Sequence, residues 1–122
     1  MALILLVDDD PKMLSMLSDM IKLDGHEALM AEDGLKALEY FRHQVPDLVI
    51  TDILMPNKEG LEFISEIHEM YPYLKIIAYS GGGSADPESY LEFASGMGAS
   101  RVFTKPMPLN LLREEIKELL AE

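Results

Sequence analysis

A chain of 122 residues, 48% of them hydrophobic, has the length of one ordinary domain and enough apolar material for a core. Its 22 acidic and 10 basic side chains give a formal charge of −12, which repels the phosphates of nucleic acid and of anionic membranes. The absence of cysteine excludes disulfides and thiolate metal sites, and no apolar run approaches the roughly 20 residues that span a bilayer.

The opening MALILLVDDD is apolar for only a few residues and then turns acidic, unlike a secretory leader. It is read as a buried strand over residues 3–7, with a cytoplasmic location expected. Further strands are predicted at 27–31, 48–51, 75–79 and 102–104, each rich in Ile, Leu, Val or Ala. Segments with helical spacing lie between them. Leu14, Leu17 and Ile21 follow Asp10-Pro11, a cap with proline at the first helical position. Leu35, Leu38 and Phe41 form the second stripe, and Leu61, Ile64 and Ile67 the third. Tyr90, Ala94 and Met97 form the fourth, and Leu109, Leu112, Ile116 and Leu119 the fifth, behind Pro108. Strict strand–helix alternation calls for parallel strands with right-handed crossovers. Strands apolar throughout, such as 48–50, are those covered on both faces. The expected class is α/β: a three-layer α/β/α sandwich, (βα)5, with a doubly wound parallel sheet of five strands.

In an open parallel sheet, ligands bind beyond the carboxyl ends of the strands. There the sequence places Asp8-Asp9-Asp10, Thr51-Asp52, Ser80 followed by three glycines, and Lys105-Pro106. Taken singly, each has an ordinary explanation: Asp10 as a helix cap, Asp52 as a turn residue, the glycines as a loop, Lys105-Pro106 as a strand stop. Together they supply carboxylates, a hydroxyl and an ammonium at one sheet edge. Crowded carboxylates need a cation, and magnesium is a hard ion suited to oxygen ligands. A carboxylate can form an acyl phosphate, and the charge spread over a transferred phosphoryl group needs positioned positive charge. His26, His43 and His68 show no metal or triad spacing. The nine methionines are expected in the core.

These residues bring in a family. The chain resembles the receiver domain of bacterial response regulators along its whole length, so residues 1–122 are expected to be one such domain. The resemblance rests on Ile4-Leu5-Leu6-Val7-Asp8-Asp9, on Asp47-Leu48-Val49-Ile50-Thr51-Asp52-Ile53-Leu54-Met55-Pro56 with Gly60, on Ile76-Ile77-Ala78-Tyr79-Ser80-Gly81, and on Gly98-Ala99 followed by Phe103-Thr104-Lys105-Pro106. It implies a flavodoxin-like sheet of order 2-1-3-4-5. It also implies phosphorylation at Asp52 and a Mg2+ (or Mn2+) ion held by Asp8, Asp9, Asp52 and the main-chain carbonyl of Leu54, with Asp8 acting mainly through water. Ser80 and Lys105 take the phosphoryl-binding and switch positions, and the Lys105–Pro106 bond is expected to be cis.

The implied role is a phosphoacceptor switch rather than a conventional enzyme. A sensor histidine kinase or histidine phosphotransfer protein would be the donor. An unidentified output protein, or a second copy, would bind the surface around the fourth helix, fifth strand and fifth helix. Three departures from the family pattern stand out. Val102 occupies the switch-aromatic position, residues 82–87 carry extra length, and Leu54 and Gly82 cannot position an attacking water through a side chain. The last feature leads to an expectation of slow self-dephosphorylation. The competing readings are a Mg2+-dependent phosphatase with an Asp nucleophile, which would need a second Asp where Leu54 stands, and a flavodoxin-like cofactor binder.

Overall fold

The computed structural model describes residues 1–53, 60–80, 92 and 94–122. The strands are β1 (Leu3–Val7), β2 (Glu27–Ala31), β3 (Leu48–Asp52), β4 (Lys75–Ser80) and β5 (Arg101–Thr104). They form one parallel sheet of order β2-β1-β3-β4-β5. Helices α1 (Pro11–Leu23), α2 (Gly34–Tyr40) and α3 (Gly60–Met70) and a C-terminal helix (Leu109–Ala121) connect or follow the strands. Residues 94–97 are also helical. None of the described helices is long and apolar enough to cross a membrane.

Side chains of a strand alternate between the two faces of its sheet, and here the alternation builds two cores. Leu5, Val7, Val49, Ile76 and Ala78 pack on one face with Phe63, Ile64 and Ile67 of α3. Ile4, Leu6, Leu48, Ile50, Ile77 and Tyr79 pack on the other, against Leu14, Leu17 and Ile21 of α1 and Leu112, Ile116 and Leu119 of the C-terminal helix. β1 and β3 are buried along their whole lengths because helices cover both sides, whereas β2 and β5 are edge strands with exposed positions.

The helix ends follow local chemistry. Asp10 caps α1 by accepting from the Lys12 N–H at 3.0 Å, and proline holds the first helical position. At the other end Gly25, with φ +86°, donates to the Lys22 carbonyl while His26 donates to that of Ile21, a Schellman closure that favours glycine.

Two predicted stripes are corrected. Leu35 is 54% exposed, and α2 turns Gly34 and Ala37 inward instead, because small side chains permit close approach of this helix to the sheet. Leu109 is exposed at the start of the C-terminal helix, which packs through Leu112, Ile116 and Leu119. Three strands are one residue longer than read: β3 includes Asp52, β4 includes Ser80 and β5 begins at Arg101. Of the fourth stripe, Ala94 is buried and Met97 half-buried, while Tyr90 lies outside the described residues.

Candidate functional site

Strand register assembles the site. Val7 pairs with Thr51, so Asp8 and Asp52 stand level one step further on, and Asp52 pairs with Tyr79. By alternation, Asp8, Asp52 and Tyr79 all follow the parity of the face covered by α1 and the C-terminal helix. β5 ends one strand away, and the Lys105 N–H donates to the Ser80 carbonyl at 2.9 Å, tying the two strand ends together. The Lys105–Pro106 peptide bond is cis.

Among the described residues the result is an acidic cluster with one lysine. Carboxylate oxygens of Asp8, Asp9 and Asp52 lie within 4.8 Å of one another. Asp8 is 0% and Asp52 5% exposed, while Asp9 faces solvent. Lys105 Nζ stands 3.4 Å from Asp52 Oδ2 and 3.8 Å from Asp8 Oδ2. The Tyr79 hydroxyl donates to Asp8 Oδ2 at 2.6 Å, and the Asp10 N–H donates to Asp8 Oδ1 at 2.9 Å. Burial raises the Asp8 carboxyl above its ordinary range, outweighing the Tyr79 and Asp10 hydrogen bonds and Lys105, which act to lower it. Burial, then the Asp8 carboxylate, pushes the Tyr79 hydroxyl far above its usual range, so it serves as a donor.

Two observations test whether a hard cation and an oxyanion fit here. Among the described residues, three carboxylates and one ammonium leave a formal excess of two negative charges in an all-oxygen donor set, the charge of one divalent ion. Among the described residues the buried Ser80 Oγ has no hydrogen-bond partner, which is uncommon for a buried hydroxyl and makes it a candidate donor to a ligand. The residues fit both groups.

Leu54, Gly82 and the extra length at 82–87 lie outside the described residues. Val102 is 39% exposed, and Phe103 packs against the opposite core. Of the histidines, His26 accepts from the Ala2 N–H at 3.1 Å and His68 packs on Gly98, consistent with structural roles. Tyr79 is the residue that sequence reasoning passed over. Its signal was a hydroxyl-bearing side chain in the otherwise apolar run Ile76-Ile77-Ala78-Tyr79.

A sequence profile of the response regulator receiver domain matches residues 4–117. The chain belongs to the response regulator receiver domain family. As a receiver it is a regulatory domain of two-component signalling. It is 33% identical over 117 residues to the chemotaxis protein CheY of Halobacterium salinarum, covering 96% of this chain and 95% of that one. It is 31% identical over 119 residues to the transcriptional regulatory protein GlrR of Escherichia coli, covering 98% of this chain but only 26% of the relative. The receiver thus spans about a quarter of that regulator's length. Among solved structures, a response regulator receiver domain protein from Clostridium thermocellum superposes with a TM-score of 0.90 at 28% identity, over 99% of this chain and 95% of that one. NtrX from Brucella abortus, crystallised with ATP, gives a TM-score of 0.89 at 28% identity, over 98% of this chain and 27% of that one.

Proposed function

We propose that this receiver, one domain over residues 1–122, is a switch that accepts a phosphoryl group on Asp52. The observation that carries the reading is the juxtaposition of a buried Asp52 with Lys105 at 3.4 Å and with the carboxylates of Asp8 and Asp9. Asp8, Asp9 and Asp52 would hold Mg2+ or Mn2+, with the Leu54 carbonyl as a further ligand carried by the family resemblance. When bound, the ion would offset the negative charge of the carboxylates and of the incoming phosphoryl group.

In the transfer, an Asp52 carboxylate oxygen forms a bond to phosphorus while the bond from phosphorus to the donor's imidazole nitrogen breaks. The imidazole leaves with the electron pair. Lys105 stabilises the oxyanion by its ammonium, and Ser80, whose hydroxyl has no partner among the described residues, donates to a phosphoryl oxygen. The donor is a sensor histidine kinase or a histidine phosphotransfer protein. The output partner, or a second copy of the chain, docks near Val102 and the C-terminal helix.

The test is intact mass after incubation with Mg2+ and acetyl phosphate. A gain of about 80 Da that is labile to hydroxylamine and absent from Asp52→Ala is the expected result. Wild-type protein that binds Mg2+ yet gains no mass from acetyl phosphate, phosphoramidate or any tested kinase would overturn the reading.

A further inference from the structure

Tyr79 is the one hydroxyl-bearing ring in β4, and it is fully buried. A buried tyrosine hydroxyl needs a partner, and this one donates to Asp8 Oδ2 at 2.6 Å. Its ring lies beneath Lys105, with Nζ 5.2 Å from the centroid, within the range at which a ring face attracts a cation. One side chain therefore touches both the acidic and the basic members of the pocket. Two donors compete for Asp8 Oδ2, the hydroxyl at 2.6 Å and the ammonium at 3.8 Å. The hydroxyl has taken it, and the ammonium stands nearer Asp52, at 3.4 Å.

We propose that Tyr79 is a positioning residue of this pocket: its hydroxyl satisfies Asp8 and its ring supports Lys105, so that the lysine serves Asp52 and the Asp8 carboxylate stays in the cation-holding cluster. Without the hydroxyl, Asp8 would be a buried anion short of one hydrogen bond, a costly state. Among the described residues, Lys105 is the charged donor within reach to replace it, at 3.8 Å. An Asp8–Lys105 pair would withdraw negative charge from the cluster and ammonium from Asp52. The inference rests on the cation-dependent reading above.

Tyr79→Phe removes the hydroxyl and keeps the ring. Mg2+ alone would be titrated into wild type and variant by calorimetry, with no phosphodonor present. The expected result is a dissociation constant raised about five- to tenfold, somewhat less than the full worth of a charge-assisted hydrogen bond because Lys105 replaces part of it. A folded variant whose Mg2+ affinity stays within about twofold of wild type would overturn the proposal, because a tyrosine needed only for packing would alter thermal stability and not this ratio. A second measurement needs no variant. Mg2+ should perturb the near-ultraviolet absorption of tyrosine in the wild-type protein, and an unchanged spectrum at saturation also overturns the proposal. Wild-type protein that binds no Mg2+ would overturn both this inference and the reading beneath it, whereas equal affinities in the two proteins would remove the inference alone.

Discussion

Replacing Asp8 by Asn should stabilise the cation-free protein by about 2 kcal/mol, although it removes two charge-assisted contacts. The estimate follows from the surroundings of the carboxylate. At an effective dielectric of about 20, the attraction to Lys105 at 3.8 Å and the repulsion from Asp52 at up to 4.8 Å come to roughly 4.4 and at least 3.5 kcal/mol. Lys105 is partly exposed, which trims the attraction, so these two nearly cancel. Asp9 adds a smaller repulsion, reduced by its exposure. What remains is the cost of desolvating a fully buried carboxylate, several kcal/mol after relaxation. Against it stands the loss of an acceptor: Asn has one oxygen, so with the Asp10 amide kept on it as a neutral acceptor the Tyr79 hydroxyl faces an amide nitrogen, and the two changes together cost about 2 kcal/mol. The upward displacement of the Asp8 carboxyl from its ordinary range has the same sign, since burial outweighs the partners.

The assay is urea and thermal unfolding in EDTA and in excess Mg2+. In EDTA, Asp8→Asn should melt roughly 8 °C above wild type, from 2 kcal/mol and the unfolding entropy of a domain this size. In Mg2+ at ten times its dissociation constant, wild type should gain about 1.4 kcal/mol and the variant less, narrowing the gap. An Asp8→Asn protein less stable than wild type in EDTA would refute the reasoning, because it would make the carboxylate a net stabilising group without its cation.

Other substitutions probe the supports of the site. A Cβ on Gly60 would collide with the Asp52 carbonyl and Ile53 Cα and stand 2.6 Å from the Ile53 carbonyl, so Gly60→Ala should cost about 3 kcal/mol in a denaturant titration and slow phosphorylation. Gly98 has φ +125° and its Cβ would meet the His68 ring; Gly98→Ala should destabilise by about 2–4 kcal/mol, with His68→Ala restoring the steric part and not the backbone strain. Urea midpoints of the Gly98 single and double variants separate the two parts. The Arg113 guanidinium, bonded to Asp24 at 2.6 and 2.9 Å, holds that carboxyl below its ordinary 3.8. A depressed folded value stabilises above the unfolded value and loses its effect as pH falls through the folded one. Arg113→Gln should therefore lower the urea midpoint slightly at neutral pH, and the difference should close well below pH 3.8.

The fold was legible because β1, β3 and β4 are apolar where helices cover them and because Asp10-Pro11 and Pro108 mark helix starts. The strand order came from the family resemblance, since alternation fixes parallel pairing and not which strand is central. In α2, Leu38 and Phe41 pack on the core as their spacing suggested, whereas Leu35 is exposed and Gly34 and Ala37 are buried, which a hydrophobicity pattern does not foresee. Asp8, Asp9, Asp52, Ser80 and Lys105 were visible as polar groups ending apolar strands. Tyr79 shows locally only as a hydroxyl in an apolar run, and its role stayed hidden because its partner lies 71 residues away.

The chain of bonds leaving Asp8 gives the pocket a mechanical outlet. Asp8 accepts from the Asp10 amide, and Asp10 in turn caps α1 by accepting from Lys12. The Asp8 amide donates to Ala31 at 3.1 Å, where β2 ends. A charge that settles on Asp8 therefore pulls on the first turn of a helix and on an edge strand through three hydrogen bonds. If filling the pocket shifts Asp8, protection of the Lys12 amide against solvent exchange should change with it, and an unchanged rate would show that the bonds do not carry the effect.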